Sequence, residues 1–205
     1  MFEEKAILRN ARDEYSDRLI LHEKPYGEVN YSQIETRIID RLINVTLGTE
    51  EIIDHGHNLI VVNFGKTVAS LLKINPTYGQ GITFMAVGDG EGVSWDSLTV
   101  AQRQAKSTFA LTQLYNEIGR TAVTGTNWID NSNLVSVTPT NRIEVIVTLT
   151  VPIVGSLREF GLFAANATGA ANSGFMLNHK AHTKIDFNLD SAFTQVLIRS
   201  IRLTL

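Results

Sequence analysis

Ile143-Glu-Val-Ile-Val-Thr-Leu-Thr-Val151 decides the fold. Ile143, Val145, Val147, Leu149 and Val151 share one parity, and Glu144, Thr148 and Thr150 the other, with Ile146 the single exception. Successive Cβ atoms of a strand point to opposite faces, so this period of two predicts a half-buried antiparallel strand. Pro152 and Gly155 interrupt it, and Leu157-Arg-Glu-Phe-Gly-Leu-Phe163 then reads as its hairpin partner.

Working outward, Thr121 to Gly125, Leu134 to Thr138 and Phe175 to Leu177 are short β-prone runs. Thr183 to Asp190 alternates again, with Ile185, Phe187 and Leu189 set against Lys184, Asp186 and Asn188. From Phe193 to Leu205 the apolar parity switches from Val196 and Ile198 to Ile201, Leu203 and Leu205. A slip of one residue near Arg199-Ser200 is how a β-bulge looks in sequence. Upstream, Ile82 to Val87 is apolar on both faces and predicts a buried strand, followed by the turn Gly88-Asp-Gly-Glu-Gly92. One long helix is predicted from Ser97 to Ile118, capped by Ser97 or Asp96 and ended by Gly119. Asp54 to Lys73 carries a broad apolar face through Leu59, Val62, Val68, Leu71 and Leu72, and Asn75-Pro76 stops it. The expected class is α+β, mainly β. Its core is an antiparallel, jelly-roll-like β-sandwich with one long helix and an N-terminal helical arm.

The arm is set apart by charge: residues 1–50 hold 7 of the 18 basic and 10 of the 21 acidic residues. A boundary near Gly48 follows, with an assembly arm over 1–50 and the β domain over 51–205. Ile7, Ala11, Tyr15 and Leu19 form one helical stripe, broken at Pro25 and Gly27. Ser32 with Glu35 reads as a capping box for a second helix bearing Ile34, Ile38, Ile39, Leu42 and Ile43. A lone amphipathic helix cannot bury itself. Ile7, Tyr15, Leu19, Ile34, Ile38 and Leu42 are therefore the expected assembly interface.

Hydrophobic residues at 43% suffice for a sizeable core, and the absence of cysteine excludes disulfides, thiolate metal ligands and thiol catalysis. A net charge of −3 offers no basic footprint for nucleic acid, and no apolar run is long enough to span a bilayer. The acidic opening Met1-Phe-Glu-Glu-Lys5 does not resemble a signal peptide, so a soluble chain made in the cytoplasm is expected. The Gly88–Gly92 loop lacks the lysine of a phosphate cradle and carries two acids, which leaves a structural turn. His55-Gly-His57 could contribute two metal ligands, completed by copies on a threefold axis, and His179 with His182 invites the same reading. Two ligands make an incomplete site, so ordinary polar histidines, no metal and no cofactor are expected. No serine sits in a nucleophile elbow, and no enzyme is expected. Glu117 and Arg120 are read as an ion pair or as cap contacts, and Arg158-Glu159 as a structural, buried pair.

Four segments stand in order: His57-Asn-Leu-Ile-Val-Val-Asn-Phe-Gly65, Met85-Ala-Val-Gly-Asp-Gly90, Leu114-Tyr-Asn-Glu-Ile-Gly-Arg120 and Leu157-Arg-Glu-Phe-Gly-Leu-Phe163. This succession resembles a loosely defined group of tailed-bacteriophage structural proteins, the tail-fibre or tail proteins, over about residues 54–205. Asp89 stands where that pattern usually has Thr, and residues 93–113 look longer than usual. The resemblance implies a non-enzymatic virion component associated with tail, neck or baseplate, made in the host cytoplasm. Its partners would be other virion proteins and copies of itself in a trimer or hexamer, with neither nucleic acid nor membrane. Gly88, Gly90, Glu117, Arg120, Arg158, Glu159, Gly161 and Phe163 are its structural motif residues. A trimeric capsid decoration or cement protein is the alternative. A host-glycan module is the further one, with Trp95, Trp128, Tyr78 and Tyr115 as its candidate aromatic platform.

Overall fold

The computed structural model describes residues 35–57, 59–73, 80–150 and 152–204. Ile7, Tyr15, Leu19 and Ile34 of the expected interface, the first helical stripe, Ser32, Asn75-Pro76 and Tyr78 lie outside the described residues.

Two antiparallel sheets carry the chain. The first runs in the order β2 (Thr49–Gly56), β1 (Glu35–Asn44), β12 (Gln195–Thr204), β8 (Arg142–Leu149), β6 (Gly125–Ile129), β7 (Val135–Ser136). The second runs β3 (Leu59–Ile60), β11 (Asn178–Phe187), β9 (Gly155–Ala164), β4 (Ile82–Gly88), β5 (Glu117–Ala122), with β10 (Phe175–Met176) paired to β9. Helix α1 spans Asn63–Leu72 and helix α2 Val100–Lys106.

In β8 the expected alternation holds: Val145, Val147 and Leu149 are fully buried. They face Ile201, Arg199 and Leu197 of β12, in unbroken register. The expected hairpin with β9 does not form, because β9 lies in the other sheet between β11 and β4. The Thr150 carbonyl accepts the Ile153 amide in a tight turn, and the chain crosses from one sheet to the other. The physical reason is burial on both faces. Residues 157–165 are all buried, which a strand in a half-solvated hairpin cannot achieve.

Residues 35–44 are a strand, not the expected helix. Thr36, Ile38 and Asp40 are buried at every second position, while Arg37 and Arg41 face solvent. The β-branched run Thr36, Ile38, Ile39, Ile43 fits either period, and pairing with β12 along ten residues settles it. The expected domain boundary cuts the β1–β2 hairpin, whose strands pair from Asn44↔Thr49 to Ile38↔Gly56. Ile38 and Leu42, read as assembly residues, therefore lie in a sheet: Ile38 is fully buried and Leu42 half-buried.

The long helix is also absent. Only Val100–Lys106 is helical, opened by a capping box between Thr99 and Gln102 instead of by Ser97 or Asp96. Ser107 turns extended, residues 107–116 run irregularly, and Ile118 and Gly119 belong to β5. The apolar face drawn from Asp54 to Lys73 divides among β2, β3 and α1. No bulge interrupts β12: Leu197, Arg199, Ile201 and Leu203 are all buried on one parity. The apparent phase change arises because Arg199, a buried charge, occupies a core position.

Candidate functional site

The motif residues converge where β4, β5 and β9 run side by side. Glu159 is fully buried, and its carboxylate accepts the backbone N–H groups of Tyr115 at 3.1 Å and Asn116 at 2.9 Å. Gly88 on the neighbouring strand makes room for it, since a Cβ there would sit 2.5 Å from Glu159 Oε1. Gly90, at φ +62°, begins the turn and lies against the Trp95 ring. Arg158 and Glu159 do not pair with each other: adjacent strand residues face opposite ways. Arg158 instead grips Asp96 with two bonds of 2.7 and 2.9 Å, which holds Asp96 below its ordinary pKa. Glu117 and Arg120 pair as expected, at 2.8 and 2.9 Å. Arg120 also donates to the Ser173 carbonyl at 2.7 Å, and its guanidinium lies 4.1 Å from the Phe163 ring centre. Gly161 packs against Asn178 and Met176 on the flanking strands.

The histidines are placed one by one, without a shared centre for His55 and His57. His57 Nδ1 contacts the Thr36 carbonyl, and His55 Nε2 lies 2.9 Å from Asp40 Oδ2. Asp40 in turn receives two bonds from Arg199, at 2.6 and 2.5 Å, with both side chains fully buried. Burial would raise the Asp40 pKa, but the Arg199 charge and the bonds from Arg199 and His55 hold it far below the carboxylate range. The Arg199 guanidinium lies 4.0 Å from the Phe160 ring centre, and the His55 and His182 rings are 4.8 Å apart. Burial first, then the charges of Arg199 and His55, push His182 well below its ordinary pKa. Among the described residues no group of three or more acidic or histidine side chains is disposed to hold a metal ion, and no helix is long and apolar enough to cross a membrane.

A second chain of polar groups ends at the surface. Ser107, just past the C-terminus of α2, places Oγ 2.7 Å from His179 Nδ1. His179 Nε2 lies 2.8 Å from Glu159 Oε2. This carboxylate accepts on both oxygens, so Nε2 donates to it, and in the neutral ring Nδ1 accepts from the Ser107 hydroxyl. His179 is fully buried and Ser107 half-buried. Ser107 opens on a hollow of about 230 Å³ lined also by His57, Leu59, Gln104 and Lys180. Lys180 donates to the His57 carbonyl, and burial lowers its pKa.

Comparison of the chain with protein-family models, with curated proteins and with solved structures finds no match.

The relay joins residues 107, 159 and 179, and nothing local in the sequence announces it. The Asp40–Arg199 pair did leave a trace: both residues sit in phase with buried apolar positions, Asp40 with Ile38 and Arg199 with Leu197 and Ile201. Of the aromatic platform, Trp95 is buried with its ring edge-on to Tyr115 at 5.2 Å. Tyr115 is 40% exposed, its hydroxyl tied to the Lys106 carbonyl. Trp128 is 42% exposed beside a hollow of about 320 Å³ that Ile82, Thr126, Asn127, Ile143 and Val145 also line.

Proposed function

We propose that this chain is a structural component of a tailed-bacteriophage virion, of fibre or adaptor type, associated with tail, neck or baseplate. Its two sheets stack as a jelly-roll-like sandwich, and it assembles as a trimer or hexamer with other virion proteins. One observation carries the reading. Residues of three of the four resembling segments meet at a single buried node, where Glu159 joins the Tyr115 and Asn116 amides beside Gly88. Motifs that lock strands together are the signature of a shared architecture, whereas a signature of shared chemistry would point side chains into an open cleft.

The N-terminal residues are proposed to contribute to assembly. An antibody against the chain, followed on intact virions by electron microscopy, tests the assignment. Label at the tail or baseplate is expected. Label on the head faces would replace it with the capsid-decoration reading, and unlabelled virions would end both.

A further inference from the structure

Ser107, His179 and Glu159 have the connectivity of an activated hydroxyl: a nucleophile bonded to a base, and the base oriented by a carboxylate. The orientation is unusually well determined. Glu159 is fixed by two backbone amides, His179 is enclosed, and the Tyr115 ring stands 6.0 Å from the imidazole. The bonded carboxylate sets the tautomer, so the lone pair on Nδ1 points at the one hydroxyl that reaches the hollow. Lys180 and Gln104 line the same hollow.

We propose that Ser107 is the nucleophile of an ester-hydrolysing site, with His179 as its general base and Glu159 as a positioning residue. Ser107 Oγ adds to the carbonyl carbon of an ester as its proton passes to His179 Nδ1. The tetrahedral adduct expels the alcohol, which takes that proton back, and the acyl group stays on Ser107. A water then attacks the acyl-serine, giving its proton to Nδ1. Collapse releases a carboxylic acid and restores the hydroxyl. No oxidant or metal enters the balance. Lys180 uses one of its three donors on the His57 carbonyl, and the rest of its charge is available to an oxyanion in the hollow. A volume of about 230 Å³ with Leu59 as its apolar wall suits esters of short carboxylic acids. The inference goes beyond the virion reading and does not depend on it: Ser107 and His179 lie outside the four resembling segments, and Glu159, inside the fourth, holds the Tyr115 and Asn116 amides and the imidazole at once.

The test uses the full chain with a fluorophosphonate probe and with 4-nitrophenyl acetate, and locates the adduct by peptide mass spectrometry. An adduct on Ser107 is expected, forming at a rate that rises with pH through one deprotonation. Ser107→Ala abolishes it, and His179→Gln slows it by about 100-fold, the contribution of a positioned base. Glu159→Gln moves the midpoint of the pH profile downward, which loss of a merely structural contact would not do. The wild-type profile decides by itself should a buried substitution prevent folding. Absence of an adduct at Ser107, a pH-independent rate, or equal labelling in folded His179→Gln would overturn the proposal. Virions labelled at the tail would leave it unaffected, and an unreactive Ser107 would leave the virion assignment unaffected.

Discussion

Asp40 and Arg199 show how much a single buried pair can hold. Neither side chain is exposed, and the bidentate contact joins β1 to β12 across Asp40↔Arg199, directly opposite in the ladder. Removing charge from water is costly, and the partner's attraction offsets that cost only while both are present. Asp40→Leu leaves Arg199 buried and alone, and is expected to destabilise the fold by about 3–5 kcal/mol. Asp40→Leu with Arg199→Met removes both charges and should restore most of that loss, because matched apolar groups of similar volume are often neutral in such sites. Urea unfolding of the wild type, both single variants and the double variant measures the cycle. A double variant no more stable than Asp40→Leu would mean that the site matters for shape and not for charge pairing.

At the scale of elements, strand β1 has the largest consequence. Its removal exposes the length of β12 and uncovers Leu197 and Ile201, both fully buried. Deleting residues 1–50 is therefore expected to abolish the cooperative unfolding transition, seen as loss of the thermal melt in near-ultraviolet circular dichroism. A truncated chain that still melts cooperatively would show that β12 can serve as an edge. The sequence reading put the whole β domain in residues 51–205, and the contrast shows what was legible. Strands β8, β4 and the end of β11 announced themselves, because apolar residues such as Val145, Val147, Leu149, Met85, Val87, Ile185 and Phe187 fill their core positions. The sequence shows β12 as a strand but reads a bulge into it near Arg199-Ser200, and it reads β1 as a helix, because Arg199 and Asp40 occupy core positions and disguise the period. The helix expected over 97–118 had the right composition. Its second half is held instead by Glu159, a residue more than forty positions away, and no local propensity can report that. The relay was illegible for the same reason, since Ser107 and His179 meet only through the pairing of distant segments.

Across the whole molecule, the same charged cluster ties the two sheets together. His55 comes from β2 and Arg199 from β12 in the first sheet, while His182 and Phe160 come from β11 and β9 in the second. His182 Nδ1 donates to the Thr183 carbonyl at 2.7 Å, and its neighbours include the cations that disfavour a second proton. With the folded-state pKa depressed below 6.5, the unfolded chain binds a proton there before the folded one does. Stability from this group is thus present above pH 6.5 and is lost as pH falls toward the folded value. The slope approaches about 1.4 kcal/mol per pH unit once the unfolded imidazole is fully charged. Asp40 has the same sign but a lower window: its depressed pKa contributes stability above about 3.8, which is lost in stronger acid. Acid should therefore loosen the molecule in two stages, the first governed by His182 at the junction of the sheets. Urea unfolding at pH 7.5, 6 and 5 is expected to show stability falling with pH in the wild type and a flatter dependence in His182→Leu. Parallel slopes in the two proteins would assign the effect to another group and remove His182 as the proton-sensitive contact between the sheets.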